Sequence, residues 1–138
     1  MNKPKIGVLG LGHLGKIHLK LLLEQSHAIC SGVFDTNSAR CEAIQNRYNV
    51  HVFDNEEDLI KASDAIILVT PTPSHYSLAK QCLLHSKHVF IEKPLCSNLE
   101  EALELKKLSD IHKCIVQIGH VERFNPAFQA AQAQPIDP

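Results

Sequence analysis

Along this chain short apolar runs alternate with longer stretches in which apolar residues recur at three- and four-residue steps. A short continuous apolar run suits a strand buried on both faces, and the three/four spacing suits an amphipathic helix. On that reading Lys5 to Leu9 is a first strand, Gly10 to Gly15 a turn, and His13 to Glu24 a helix with Leu14, Ile17, Leu21 and Leu22 on one side. Ala28 to Phe34 is a second strand ending on Asp35, and Thr36 or Asn37 caps a helix through about Arg47. A short third strand falls near Val50 to Phe53, followed by a helix from Asn55 to Ala62. Asp64 to Val69 is a fourth strand, and Thr70-Pro71-Thr72-Pro73 is a loop, because proline lacks an amide donor and restricts the residue before it. Ser74 caps a helix through about His85, His88 to Ile91 is a fifth strand, and Asn98 opens a helix through about Ser109 whose Glu100 and Glu101 suit its N-terminal dipole. Cys114 to Ile118 is a sixth strand, and Asn125-Pro126 starts a last helix.

Strands alternating with helices call for a parallel sheet covered on both faces, so the expected fold is an α/β, doubly wound sheet of about six strands in a single domain. A length of 138 residues suits one domain and is too short for two. With 14 basic and 15 acidic residues and no basic cluster beyond Lys106-Lys107, neither nucleic acid nor an anionic membrane is an expected partner. No apolar run approaches the roughly 18 residues of a membrane span, and the polar start leads straight into a strand rather than a signal peptide. Five cysteines, odd in number and widely spaced, read as reduced thiols in a cytoplasmic protein. The nine histidines raise a metal site, but there is no C-x-x-C and no H-E-x-x-H; His85 and His88 merely flank a helix-to-strand turn, and no metal is expected.

The sharpest local pattern is Gly10-Leu11-Gly12-His13-Leu14-Gly15, a G-x-G-x-x-G between the first strand and the first helix. Gly10 permits the tight turn, Gly12 lets backbone approach a pyrophosphate, and Gly15 lets the helix pack closely on the sheet. The helix N-terminus at His13 and Leu14 then turns its amides toward the phosphates. Asp35 stands 20 residues past Gly15 at the end of the second strand, where a carboxylate accepts from the adenosine ribose hydroxyls. Such a carboxylate repels a 2′-phosphate, favouring NAD over NADP, although Arg40 is near enough in sequence to reach one. The plainer alternatives are a glycine turn with an ordinary capping Asp, and Arg40 as a solvated helix residue.

Three further stretches, each following a predicted strand, complete the picture: Thr70-Pro71-Thr72-Pro73-Ser74-His75, Glu92-Lys93-Pro94, and Gly119-His120-Val121-Glu122-Arg123-Phe124-Asn125-Pro126. With the glycine turn they make the chain resemble the Gfo/Idh/MocA oxidoreductases, over essentially its whole length, with the last motif most similar to the nucleotide-sugar branch. The resemblance implies hydride transfer between NAD(H) and a secondary alcohol or ketone of a sugar, nucleotide-sugar or cyclic polyol. It implies that Lys93 is the catalytic residue beside the nicotinamide and the reacting hydroxyl, with Glu92 beside it, and that the Lys93–Pro94 bond is often cis. It also implies that Thr70, Pro71, Thr72 and His75 line the cofactor's ribose and pyrophosphate, and that His120 and Arg123 border the nicotinamide and substrate side. Against these stand a salt-bridged surface lysine at 93, a surface histidine at 75 and a structural ion pair at Arg123. The implied organisation is a cofactor domain over residues 1–120, with 121–138 a last helix and the start of a linker to a second domain. In such proteins that domain binds substrate and supplies a histidine, often with an aspartate, as acid/base group. The chain reaches Pro138 before any of it, so alone it is expected to bind cofactor without full catalysis, and the apolar surface left uncovered is a route to self-association. A non-catalytic Rossmann sensing module is the alternative, against which Glu92-Lys93-Pro94 argues; a methyltransferase with a similar turn fits less well.

Overall fold

The computed structural model describes residues 3–134. Among these, five strands form one sheet in the order β2-β1-β3-β4-β5, with every neighbouring pair parallel. They are β1 (Lys5–Leu9), β2 (Ile29–Phe34), β3 (Ala65–Leu68), β4 (His88–Ile91) and β5 (Val116–Ile118). The helices between and after them are α1 (His13–Glu24), α2 (Ser38–Tyr48), α3 (Glu56–Ala62), α4 (His75–Leu84), α5 (Leu99–His112) and α6 (Pro126–Gln132). Three helices start on an asparagine whose side chain accepts a backbone amide three residues on: Asn37 from Arg40, Asn55 from Asp58 and Asn98 from Glu101. Each cap satisfies a donor that the first helical turn leaves unpaired.

Alternation along β1 divides the core. Val8 packs with Leu11, Leu19, Leu22, Val33 and Ile44 on one face, and Leu9 with Leu59, Ile66, Leu68, Leu83, Ile91 and Leu105 on the other. Each such side chain contributes roughly 1.5–3 kcal/mol by leaving water. β1 has β2 on one side and β3 on the other, so the chain departs in opposite directions past its carboxyl end. That is the crevice in which doubly wound sheets hold ligands.

The third strand expected at Val50–Phe53 is absent, which reduces the expected six strands to five. The segment makes one bridge, Val52 to Val33, through Val33 N to His51 O at 2.9 Å and Phe53 N to Val33 O at 3.0 Å. Gly32 stands at φ +147°, and a Cβ there would meet the Phe53 ring at 2.6 Å, so the segment leans on the glycine instead of running along β2. The apolar side of α1 also differs from expectation. Gly15, Leu19 and Leu22 are buried, while Leu14, Ile17 and Leu21 are 47%, 43% and 50% exposed. The helix carries two apolar stripes, and the need to place Gly15 against the Gly10 carbonyl selects the one containing Leu19 and Leu22. Ser74 makes no capping bond to α4; it sits in a 3-10 turn, Thr72–Ser74, with its hydroxyl 2.7 Å from both Thr70 Oγ1 and Pro71 O. Helix α5 runs to His112, and Cys114 N closes it by donating to Ser109 O, so β5 begins only at Val116. Among the described residues no helix is long and apolar enough to cross a membrane.

Candidate functional site

The glycine turn assigns its residues different jobs. At Gly10, φ is +94° and a Cβ would stand 2.6 Å from Val69 O; at Gly15 a Cβ would stand 2.0 Å from Gly10 O. Both positions are closed by backbone. At Gly12 a Cβ would meet nothing within 4 Å, so this residue is free of any packing demand and leaves bare backbone facing the crevice. Gly12 is also the N-cap of α1 and offers no side-chain acceptor to the amides of the first helical turn, an arrangement suited to an anion.

Asp35, at the end of β2, is tied into the same turn. One carboxylate oxygen accepts Leu11 N at 2.7 Å and the other accepts Asn37 N at 2.8 Å. Arg40 Nη1 approaches at 3.5 Å from a half-exposed side chain. A carboxylate has about four lone-pair sites, so acceptor capacity remains for ribose hydroxyls once the long Arg40 contact yields. Asp35 therefore shapes the turn as well as facing the cleft, which the sequence reading did not anticipate.

The far end is built from side chains. His75, the first residue of α4, is 1% exposed, which removes the surface alternative. Its Nδ1 lies 2.8 Å from Pro94 O and its Nε2 2.7 Å from Thr70 O, so the ring straps the loop after β3 to the loop after β4. A neutral ring donates to one of these carbonyls and an imidazolium to both. The Lys93–Pro94 bond is cis, in keeping with the resemblance. Beneath Lys93, Glu92 is largely buried; its Oε2 accepts Lys93 N at 3.2 Å and its Oε1 lies 2.7 Å from His18 Nε2. Gly119 makes room for that carboxylate, since a Cβ there would stand 2.7 Å from Glu92 Oε2. Sequence reading missed His18 and the role of Gly119. The available signal was a polar residue beside the stripe of α1 that carries Gly15, Leu19 and Leu22.

One cleft of about 790 Å³ brings together Gly10, Gly12, His13, Leu14, Asp35, Thr70, Pro71, Thr72, His75, Glu92 and Lys93, with Arg40 at its rim. Gly15 lies beneath this surface and does not line it. His120 is in a second cleft of about 670 Å³, with Arg123 and Phe128, and Lys93 is the residue the two clefts share. Among the described residues, neither Lys93 nor Arg123 forms an ion pair, contrary to the structural alternatives for both. All five cysteines are free.

Residues 4–120 match the oxidoreductase family described by its NAD-binding Rossmann fold. The chain is 33% identical over 125 residues to the UDP-N-acetylglucosamine 3-dehydrogenase of Acidithiobacillus ferrooxidans, a match spanning 91% of this chain and 39% of that protein. It is 34% identical over 106 residues to the glucose-6-phosphate 3-dehydrogenase of Bacillus subtilis, spanning 77% and 30%. Among solved structures, scyllo-inositol dehydrogenase from Lactobacillus casei with bound NAD(H) and scyllo-inositol superposes with a TM-score of 0.87 at 28% identity, over 95% of this chain and 40% of that one. The chain thus spans less than half the length of these relatives. Glycine turn, acidic strand end, Lys93 step and overall match agree: the chain belongs to the Gfo/Idh/MocA oxidoreductase family and carries its NAD-binding Rossmann fold.

Proposed function

We propose that this chain holds NAD(H) for hydride transfer to or from a CH–OH carbon of a sugar, nucleotide sugar or cyclic polyol. The reading rests above all on the single cleft that runs from an uncapped helix N-terminus at Gly12 to Lys93. Nicotinamide supplies the hydride acceptor or donor; the residues of the chain do the holding and the proton handling. Gly12 and the first amides of α1 receive the diphosphate, and Asp35 accepts from the adenosine ribose while its charge disfavours a 2′-phosphate. Thr70, Pro71 and Thr72 wall the middle of the cleft, and His75 fixes that wall without itself being free to bind. Lys93, exposed and unpaired among the described residues, donates from Nζ to the reacting oxygen. His120 and Arg123 face the substrate from the second cleft. Residues 1–120 form the cofactor unit, and 121–138 lead toward a substrate-binding partner domain that completes the acid/base chemistry. The chain by itself then binds cofactor without turnover.

Paired titrations with NADH and NADPH, followed by nicotinamide fluorescence, test this reading. Saturable binding that prefers NADH, and that Gly12→Ala weakens without altering the fold, is the expected result. A folded chain that binds neither nucleotide overturns it. Asp35→Ala is a poorer probe, because it also strips the acceptor from Leu11 N and disturbs the turn.

A further inference from the structure

We propose that His18 is a positioning residue for Lys93: it holds the Glu92 carboxylate under the backbone and so keeps that carboxylate off the lysine's ammonium. The inference rests on the role given above to Lys93 as the donor to the reacting oxygen. Glu92 and Lys93 are neighbours in sequence, and an ionised carboxylate next to a lysine is its natural ion-pair partner. Yet Glu92 spends both oxygens elsewhere. Oε1 lies 2.7 Å from His18 Nε2, Oε2 accepts Lys93 N at 3.2 Å, and the two side chains of the His18–Glu92 pair are only 23% and 11% exposed.

Three independent elements are shaped to this arrangement. His18 arrives from α1, its ring 5.2 Å from that of Phe90 and tilted across it. Glu92 comes from the end of β4. Gly119, just past β5, supplies the space, because any side chain there would strike the carboxylate. In this arrangement Nε2 of His18 donates and the Glu92 carboxylate accepts. The consequence is a lysine that lines both clefts and, among the described residues, forms no ion pair.

The test reads Lys93 Nζ directly in the 138-residue chain, as its rate of acylation by an amine-selective reagent resolved by peptide mass spectrometry. His18→Met fills the site but offers no donor, and His18→Gln offers an amide donor at about the same reach. Release of the carboxylate onto Nζ slows acylation of Lys93 roughly two- to fivefold in His18→Met, the range of an exposed ion pair. His18→Gln labels as the wild type does, and adding Glu92→Gln to His18→Met restores the fast rate, which a purely structural loss would not do. An unchanged rate in His18→Met, or no rescue by Glu92→Gln, overturns the proposal. Nitrogen-15 NMR of the imidazole in the wild-type chain gives a second reading that needs no variant to fold: the tautomer protonated only at Nδ1 also overturns it. No nucleotide enters either measurement, so a chain that fails the NADH titration but shows this pattern keeps the role of His18 and loses the cofactor reading.

Discussion

The two ends of the cleft are made of different material. At the Gly12 end the groups offered to a ligand are backbone amides, and their placement is settled within a few dozen residues of chain. The seat of Gly15 against the Gly10 carbonyl and the Leu11–Asp35 bond both belong to the first β-α-β unit, and only Gly10 is closed from outside it, by Val69 O. At the Lys93 end the surface is side chains, and what fixes them comes from far along the chain. His18 and Glu92 are 74 residues apart, and His75 reaches 19 residues ahead to Pro94. The first end is a local motif that any sheet of this topology can carry. The second exists only once the sheet has assembled and brought the ends of β3, β4 and β5 together.

Substitutions within the glycine turn give the largest contrast. Gly15→Ala drives a Cβ to 2.0 Å from a backbone carbonyl that cannot move without unseating the turn. We expect a loss of about 3 kcal/mol or more, read by thermal or urea unfolding. Gly12→Ala meets nothing within 4 Å. Its stability should stay within about 0.5 kcal/mol of wild type, while NADH binding weakens at least about tenfold, a difference of roughly 1.4 kcal/mol. If Gly12→Ala binds NADH as tightly as wild type, the bare backbone is not where the diphosphate lies.

At the other end, His75→Ala removes a buried ring together with its polar contacts to the carbonyls of the two loops. The void and the orphaned carbonyls should cost about 2–4 kcal/mol in urea unfolding. A cost under about 0.5 kcal/mol would mean that the loops after β3 and β4 hold their places unaided.

The same contrast explains what the sequence made legible. Glycine spacing and an acidic strand end are local signals, so the turn, α1 and the place of Asp35 could be read directly. The Lys93 end could be reached only by likeness to a known family, because nothing in Glu92-Lys93-Pro94 says that His18 lies beneath it. Two fold errors share one origin. Val50–Phe53 has the composition of a strand but only Val33 to pair with, and Leu14, Ile17 and Leu21 have the spacing of a buried stripe but lose to the packing of Gly15. In both cases a glycine's steric demand, invisible in hydropathy, outvoted the apolar pattern.

Asp35→Asn yields a smaller and more specific effect. The amide has a single acceptor oxygen, so one of Leu11 N and Asn37 N loses its partner and faces an NH₂ group. The expected cost is about 1–2 kcal/mol of stability, accompanied by a narrower preference for NADH over NADPH as the negative charge disappears. An unchanged preference would move cofactor discrimination away from this carboxylate.

The smallest effect tests whether the two ends open as one unit. Cys41, whose Sγ lies 3.3 Å from Asp35 O, belongs to the core cluster that holds Val8 and Val33, and Cys82 is fully buried in the cluster that holds Leu68 and Ile91. Burial pushes the Cys82 thiol up to about 12, so in the folded chain it carries almost no thiolate at pH 8 and reacts only after opening. Because the folded value lies above that of an unfolded thiol, about 8.5, the contribution of Cys82 to stability is complete below that pH. It then declines as pH rises toward 12, by at most about 1.4 kcal/mol per unit. Pulsed alkylation at pH 8 should therefore label Cys41 after the partly exposed Cys96 and ahead of Cys82, with NADH slowing Cys41 more than Cys82. That order follows if the local, motif-built end breathes separately from the sheet that carries Lys93. Equal rates for Cys41 and Cys82 would show that both clusters open in one cooperative step, and the two ends would differ in how they are built but not in how they move.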